Sequence, residues 1–151
     1  DRESAPCYTL MFVKRIMTGN FETIPRDRTL DEAVKLMLNN RVDHIFVVEN
    51  GAPAAMLTRR KALVACYKTD APLSDIPISG FSRGLETKVG PDETVLIAVG
   101  KLRQANINCL PVVNGMSVEG VVTKDDIIEN LSNITTSMME NEEEERDEWT
   151  A

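Results

Sequence analysis

An internal repeat limits what this chain can fold into more than any other feature. When the sequence is shifted by 65 residues, its second half lies on the first without a gap, so that Asp27 falls on Asp92 and Thr58 on Thr123. A unit of about 50 residues cannot bury much apolar surface on its own. We therefore expect the two copies to pack around a shared core, with equivalent loops facing each other across a cleft.

Each copy shows the same order of secondary-structure signals, β-α-β-β-α. Apolar residues spaced three and four apart predict the first helix of each copy, and Thr29 with Glu32 forms a T-x-x-E pattern that predicts a capping box. Asn50-Gly51 and Asn114-Gly115 predict tight hairpin turns with positive φ angles. The predicted strands are 22–24, 45–48 and 54–57 in copy one and 87–89, 110–113 and 118–122 in copy two; the closing helices are 59–68 and 124–132.

These signals predict an α+β fold in which two β-α-β-β-α repeats are related by a pseudo-two-fold axis. The proposed division is an N-terminal extension (1–11), repeat one (12–69), a linker rich in Pro, Ser and Gly (70–83), repeat two (84–135) and an acidic tail (136–151). The tail is either a helix that continues the last one or a solvated charge run.

Charge is concentrated in this tail. The formal net charge is −7, and residues 140–151 hold seven carboxylates against one arginine. The rest of the chain is close to neutral and offers no overall basic character, which argues against a nucleic-acid partner.

Cysteine, histidine and hydropathy exclude several other classes. Three separated cysteines and one histidine predict neither a disulfide framework nor a metal site. No apolar run approaches the ~20 residues that span a bilayer, and the first residues show no signal-peptide pattern. We therefore expect a cytoplasmic protein with no membrane partner.

The segment Gly120–Ile127 carries the clearest chemical pattern, with two apolar residues, then Thr123, then Asp126 three positions later. A hydroxyl and a carboxylate so placed can hold the vicinal hydroxyls of a ribose. They can equally be structural, with Thr123 capping a helix and Asp126 facing the positive end of its dipole. The residues alone leave both interpretations open.

The pattern G-h-h-T-x-x-D-h, where h is apolar, resembles the ribose-binding motif of CBS domains. The stretch Ile107–Val113, with Pro111, resembles the apolar strand of that family, and copy one shows the same frame at 42–48 and 56–61. The resemblance covers about residues 12–133. It implies a Bateman module that binds AMP, ADP, ATP or S-adenosyl compounds, forms a homodimer and passes a conformational signal to an effector protein or domain.

The resemblance assigns roles unevenly between the copies. Thr123 and Asp126 match both ribose-binding positions in copy two. In copy one Thr58 matches, but Lys61 stands where the acid belongs, and Phe46 replaces the family proline. A lysine cannot accept hydrogen bonds from ribose hydroxyls, so copy one is not expected to build a full nucleoside site.

The start of the second helix of copy one reads Arg59-Arg60-Lys61. The resemblance implies that phosphates of a nucleotide held by copy two point toward these cations, which would offset their unfavourable position at a helix N-terminus. A solvated basic helix start is the alternative. The resemblance adds weaker candidates at the cleft, and these ligand-binding candidates are His44, Thr87, Val89, Asn108 and Pro111.

The sequence is compatible with three functions. The favoured one is a regulatory module without catalysis that senses adenine nucleotides. The second is an interaction scaffold whose site is degenerate, which the residues Lys61 and Phe46 favour. An enzyme is the third and is disfavoured, because one histidine would have to carry most of the proton chemistry and no phosphate-cradling glycine loop is present.

Overall fold

The computed structural model describes residues 11–133. The predicted acidic tail and residues 1–10 of the predicted extension lie outside the described residues. No helix within this range is long and apolar enough to cross a membrane.

Repeat one forms the predicted β-α-β-β-α order. Its elements are β1 (Glu22–Pro25), α1 (Leu30–Asn40), β2 (His44–Glu49), β3 (Ala52–Thr58) and α2 (Arg59–Lys68). β1 pairs parallel with β2, and β2 pairs antiparallel with β3.

Repeat two differs at both of its ends. The predicted strand at 87–89 is reduced to one parallel bridge between Val89 and Val112. The carbonyl of Lys88 instead accepts a hydrogen bond of 2.7 Å from the Lys101 ammonium, so it is not used in the sheet. The other elements are α3 (Val95–Ala105), β5 (Cys109–Asn114), β6 (Ser117–Thr123) and α4 (Lys124–Glu129).

The predicted helix 124–132 is interrupted once: α4 ends at Glu129, Asn130 forms a turn, and residues 131–133 are helical again. The side-chain amide and the backbone N–H of Asn130 both donate to the carbonyl of Asp126, at 2.8 and 3.2 Å. Asn130 therefore takes up a carbonyl left open at the helix end, as a C-cap does.

The structure contradicts two local predictions made from the sequence. Thr29 occupies the N-cap of α1 but makes no capping bond, because its hydroxyl bonds to the carboxylate of Asp31. In the second hairpin Asn114 pairs with Ser117 inside the sheet, so the turn is Gly115-Met116 and only its glycine has a positive φ, of 63°. The first hairpin turns at Asn50-Gly51 as predicted, with φ values of 54° and 79°.

Each repeat is completed by a segment that precedes the other repeat. The N-terminal arm (residues 11–18) bridges to repeat two, through Phe12 with Thr94 and Thr18 with Val121. The linker arm (residues 76–83) lies 65 positions later and makes the equivalent contacts with repeat one, through Pro77 with Thr29 and β4 (Arg83–Gly84) with β3. The exchange demonstrates the pseudo-two-fold relation directly.

Burial follows this exchange. Val13 of the N-terminal arm is fully buried in the core of repeat two, and Ile78 of the linker arm is fully buried in that of repeat one. The predicted linker thus contributes Ile76 and Ile78 to the core of repeat one. A third cluster joins the repeats and consists of Phe46, Met56, Cys109 and Val121.

Gly120 marks where the N-terminal arm approaches repeat two most closely. A Cβ at this position would lie 2.5 Å from the backbone oxygen of Thr18. We expect Gly120→Ala to lower the free energy of unfolding by about 1–3 kcal/mol, because backbone rather than a flexible side chain would have to move. Gly100→Ala is the matched control, since its Cβ would meet no atom within 4 Å in α3 and should stabilise by about 0.5–1 kcal/mol. Urea denaturation measures both, and equal stability of Gly120→Ala and wild type would contradict the close approach.

Candidate functional site

A cleft of about 1000 Å³ opens between the repeats, where β3 runs into α2 and β6 runs into α4. All its lining residues except Asn20 and Met56 form pairs separated by 65 positions. The cleft is therefore two equivalent half-sites placed face to face. The paired residues are Thr18, Arg41, Val42, Asp43, His44, Thr58, Arg59, Arg60, Lys61, Leu63, Arg83, Asn106, Ile107, Asn108, Cys109, Thr123, Lys124, Asp125, Asp126 and Ile128.

Thr123 and Asp126 lie together in the half-site of repeat two. The Thr123 hydroxyl accepts a hydrogen bond of 3.0 Å from the backbone N–H of Asp126, and one Asp126 carboxylate oxygen accepts the Thr123 N–H at 2.9 Å. These two bonds form a capping box at the start of α4. The structural role that the sequence left open is thus present.

The capping box leaves both groups with hydrogen-bonding capacity. The Thr123 hydroxyl acts only as an acceptor in it, so its proton remains available to donate. A carboxylate has more lone-pair positions than the two bonds of Asp126 require. A capping role and a role in holding ribose hydroxyls are therefore compatible.

Thr18 belongs to this half-site, although no sequence motif predicted it. Its hydroxyl donates to the Asp126 carboxylate, with an O···O distance of 3.2 Å to the nearer oxygen. The internal repeat is the signal that could have predicted this position. Each arm crosses to the opposite repeat, so residue 18 lies beside repeat two.

The half-site of repeat one is basic. Thr58 caps α2 by accepting the backbone N–H of Lys61 at 3.1 Å. Arg59 forms an exposed ion pair of 3.5 Å with Asp43, whereas Arg60 and Lys61 have no carboxylate partner among residues 11–133. The whole cleft is lined by six Lys or Arg side chains and three carboxylates, so it carries excess positive charge in a chain that is acidic overall.

Arg83 is a second cleft residue that sequence reasoning missed. It reaches across from the linker arm, and its guanidinium donates to the carbonyl of Cys109 at 3.3 Å. Burial raises the pKa of the Cys109 thiol, and the nearby Arg83 charge opposes this only in part. Cys109 therefore acts as a neutral apolar wall of the cleft.

His44 and Asn108 also line the cleft. Burial lowers the pKa of His44, against the opposing charges of Asp43 on the same loop and Asp126 across the cleft. The Asp126 charge acts on a side chain of repeat one, which shows how near the two half-sites lie. Burial thus favours the neutral form of the His44 imidazole.

Three predicted site residues do not line this cleft. Val89 is 1% exposed and packs in the core of repeat two. Pro111 is buried within β5, where its carbonyl accepts the Val89 N–H at 3.0 Å. Thr87 lies in a half-buried bend, because the strand predicted for it does not form. Their contacts with a ligand therefore stay predictions, whereas Thr123 and Asp126 line the cleft.

Comparison with known proteins agrees with the geometry. A sequence profile of the CBS domain family matches residues 13–68 and 86–133. The CBS domain-containing protein YhcV of Bacillus subtilis is 30% identical over 122 residues, which cover 78% of this chain and 84% of that protein. A homoserine O-acetyltransferase of Methanococcus vannielii is 31% identical over 127 residues, which cover 82% of this chain but only 25% of that protein.

A similar solved structure is a CBS domain pair in complex with 5′-methylthioadenosine and S-adenosyl-L-methionine. It superimposes with a TM-score of 0.70 at 22% identity, over 82% of this chain and 98% of that chain. At this identity the likeness concerns the fold alone. With both repeats matched by the family profile and the paired fold shared, the chain belongs to the CBS domain family and is a tandem CBS pair.

Proposed function

We propose that this CBS pair is a regulatory module that binds an adenosine-type nucleotide, namely AMP, ADP, ATP or an S-adenosyl compound, in the cleft between its repeats. Thr123 and Asp126 hold the ribose hydroxyls, and Arg59, Arg60 and Lys61 face the phosphates. Asn108 and His44 complete the walls on either side.

The observation that carries this proposal is the composition of one cleft. A hydroxyl and a carboxylate from repeat two lie in the same cavity as the basic helix start of repeat one. A nucleotide presents the matching chemistry, with a neutral diol at one end and an anion at the other. The CBS pair that contains bound 5′-methylthioadenosine and S-adenosyl-L-methionine supports the adenosine part of the ligand.

The N-terminal arm provides a route for the signal. Its Thr18 hydroxyl bonds to the same carboxylate that we assign to ribose binding. A ligand that engages Asp126 changes the contacts of the arm, and any preference for one arm position shifts the population toward that state. We propose that an effector protein or domain reads this change, and that the module acts in the cytoplasm.

The proposed homodimer has support from exposed apolar side chains. Leu63 and Tyr67 on α2 are 63% and 89% exposed, and Ile128 on α4 is 66% exposed. Leu63 and Ile128 are equivalent positions of the two repeats. A second copy of the chain would remove these side chains from water, which is favourable in proportion to the apolar area buried.

The decisive experiment is thermal melting with AMP, ADP, ATP, S-adenosylmethionine and 5′-methylthioadenosine at millimolar concentration. We expect at least one ligand to raise the melting temperature in a concentration-dependent way, since binding to the folded state alone stabilises it by mass action. Unchanged melting with all of these ligands would overturn the proposal.

Two cap variants serve as a matched pair in this assay. Thr123→Ala and Thr94→Ala each remove a threonine whose hydroxyl accepts a backbone N–H at a helix start, but only Thr123 lines the cleft. Each should cost about 1 kcal/mol of stability. Thr123→Ala should also lose most of the ligand-induced shift, whereas Thr94→Ala should keep it.

A ligand-free scaffold is the second candidate. It is favoured by the mutual bonding of Thr18, Thr123 and Asp126, which satisfies part of the half-site without any ligand. A scaffold would melt at one temperature regardless of ligand, so the same assay separates the two functions.

A further inference from the structure

The two half-sites of the cleft differ at the pair of residues where each arm meets the opposite helix start. In the half-site of repeat two, Thr18 donates to Asp126 across 3.2 Å. The equivalent positions, 65 residues apart in each case, are Arg83 and Lys61. The pseudo-two-fold axis therefore places two cations where the other half-site has a hydrogen-bonded hydroxyl and acid.

Arg83 is held in place by the fold. β4 pairs Arg83 with Met56 in the sheet of repeat one, and its guanidinium donates to the Cys109 carbonyl of repeat two. The residue is half-buried and lines the cleft. That one contact leaves guanidinium N–H groups with capacity for a further acceptor.

No described carboxylate neutralises this pair of cations. Asp43 is engaged with Arg59, and Asp126 is bonded to Thr18 and Thr123. Asp125, the third carboxylate that lines the cleft, makes no ion pair with Lys61 or Arg83. Within residues 11–133, Lys61 and Arg83 have no ion-pair partner. Two cations that line one cleft without a carboxylate partner leave it with positive charge that an anion can neutralise.

We propose that Lys61 and Arg83 form an anion subsite for the terminal phosphates of the ligand. Arg83 is the specificity-determining residue, since a guanidinium can bind a phosphate through two parallel hydrogen bonds. The cleft accordingly selects nucleoside di- and triphosphates over the monophosphate and over the S-adenosyl sulfonium cation. This inference rests on the proposed function for the placement of the nucleoside.

The same difference between the two half-sites predicts that one nucleoside binds per chain. The half-site of repeat one offers the Thr58 hydroxyl but a lysine in place of the acid, so it lacks an acceptor for ribose hydroxyls. A second nucleoside has no equivalent place, and the basic half-site is left for the phosphates of the first.

Isothermal titration calorimetry of the whole chain at fixed ionic strength tests the subsite. The ligands are adenosine, AMP, ADP, ATP and S-adenosylmethionine, with tripolyphosphate as a free anion. We expect one site per chain and ATP or ADP to bind about tenfold or more tightly than AMP. S-adenosylmethionine should bind no better than adenosine.

Arg83→Gln and Lys61→Gln should each weaken ATP binding by about tenfold or more while changing adenosine binding by less than about twofold. Two variants are used because Arg83 also contacts Cys109, whereas the Lys61 side chain is exposed and makes no such contact. Arg103→Gln is the control, because it removes an exposed arginine from α3 outside the cleft. It should leave every affinity unchanged.

The outcomes separate the subsite from the proposed function. Affinities that are independent of phosphate number and of both glutamine variants would overturn the subsite and leave nucleotide binding intact. Tripolyphosphate binding that requires Arg83, without any nucleoside binding, would support the subsite and overturn the proposed function. Binding of neither class would overturn both.

Discussion

Replacing Asp126 with alanine is expected to weaken nucleotide binding by about 1.5–3 kcal/mol, or roughly 10- to 150-fold. The carboxylate is the acceptor that we assign to the ribose hydroxyls, and hydrogen bonds to a charged group are the stronger kind. Its removal also deprives Thr18 and the Thr123 N–H of their partner. Calorimetry with the tightest ligand measures the loss.

Asp125→Ala is the matched control for this variant. Asp125 carries the same charge in the first turn of α4 and lines the same cleft, but it takes no part in the capping box. Removal of either carboxylate makes the cleft more positive by one charge, which by itself would favour a phosphate. A weakening confined to Asp126→Ala therefore reports the specific contact, and equal affinities in both variants would contradict the assignment.

Truncation of Phe46 is expected to lower the free energy of unfolding by about 3–5 kcal/mol. Phe46 is fully buried in the cluster that joins the repeats, and its ring meets that of Phe21 edge to face with 5.1 Å between centroids. Phe46→Ala leaves a cavity between two repeats that cannot close without moving both. Urea denaturation followed by circular dichroism measures the change.

Leu38→Ala is the control for Phe46→Ala. It removes an apolar side chain from α1 of the same repeat, at a position that is 73% exposed, and should change stability by no more than about 0.5 kcal/mol. A loss below about 1 kcal/mol for Phe46→Ala would show that the cluster does not hold the repeats together.

Repetition in the sequence predicted the fold well, because matched apolar positions such as Leu30 and Val95 recur in order and both are buried. Local capping was predicted less well. The T-x-x-E pattern at Thr29 is formally complete, yet the Thr29 hydroxyl donates to the Asp31 carboxylate instead of accepting a backbone N–H. The pattern also could not show that the linker arm supplies the Ile76 carbonyl to the Leu30 N–H, at 2.8 Å and from 46 positions away along the chain.

The candidate site was predicted in part for the same reason. Motif spacing identified Thr123, Asp126 and the basic helix start, which the structure brings into one cleft. Thr18 and Arg83 were missed because both arrive on arms that cross to the opposite repeat. Val89 lies in the core of repeat two and its contact with a ligand stays a prediction, since an apolar residue beside a cleft and one inside a core have the same sequence pattern.

The crossing of the arms has a consequence for what counts as one folding unit. A fragment that contains only one repeat would keep the arm that packs on the other repeat. It would lack the arm that completes its own core. Neither half has a complete core by itself. Two identical halves could complete each other's cores only by exchanging arms, as in a domain-swapped dimer. The smallest unit expected to fold independently is thus the pair of repeats on one chain. A gene that encoded one repeat alone would produce an incomplete protein.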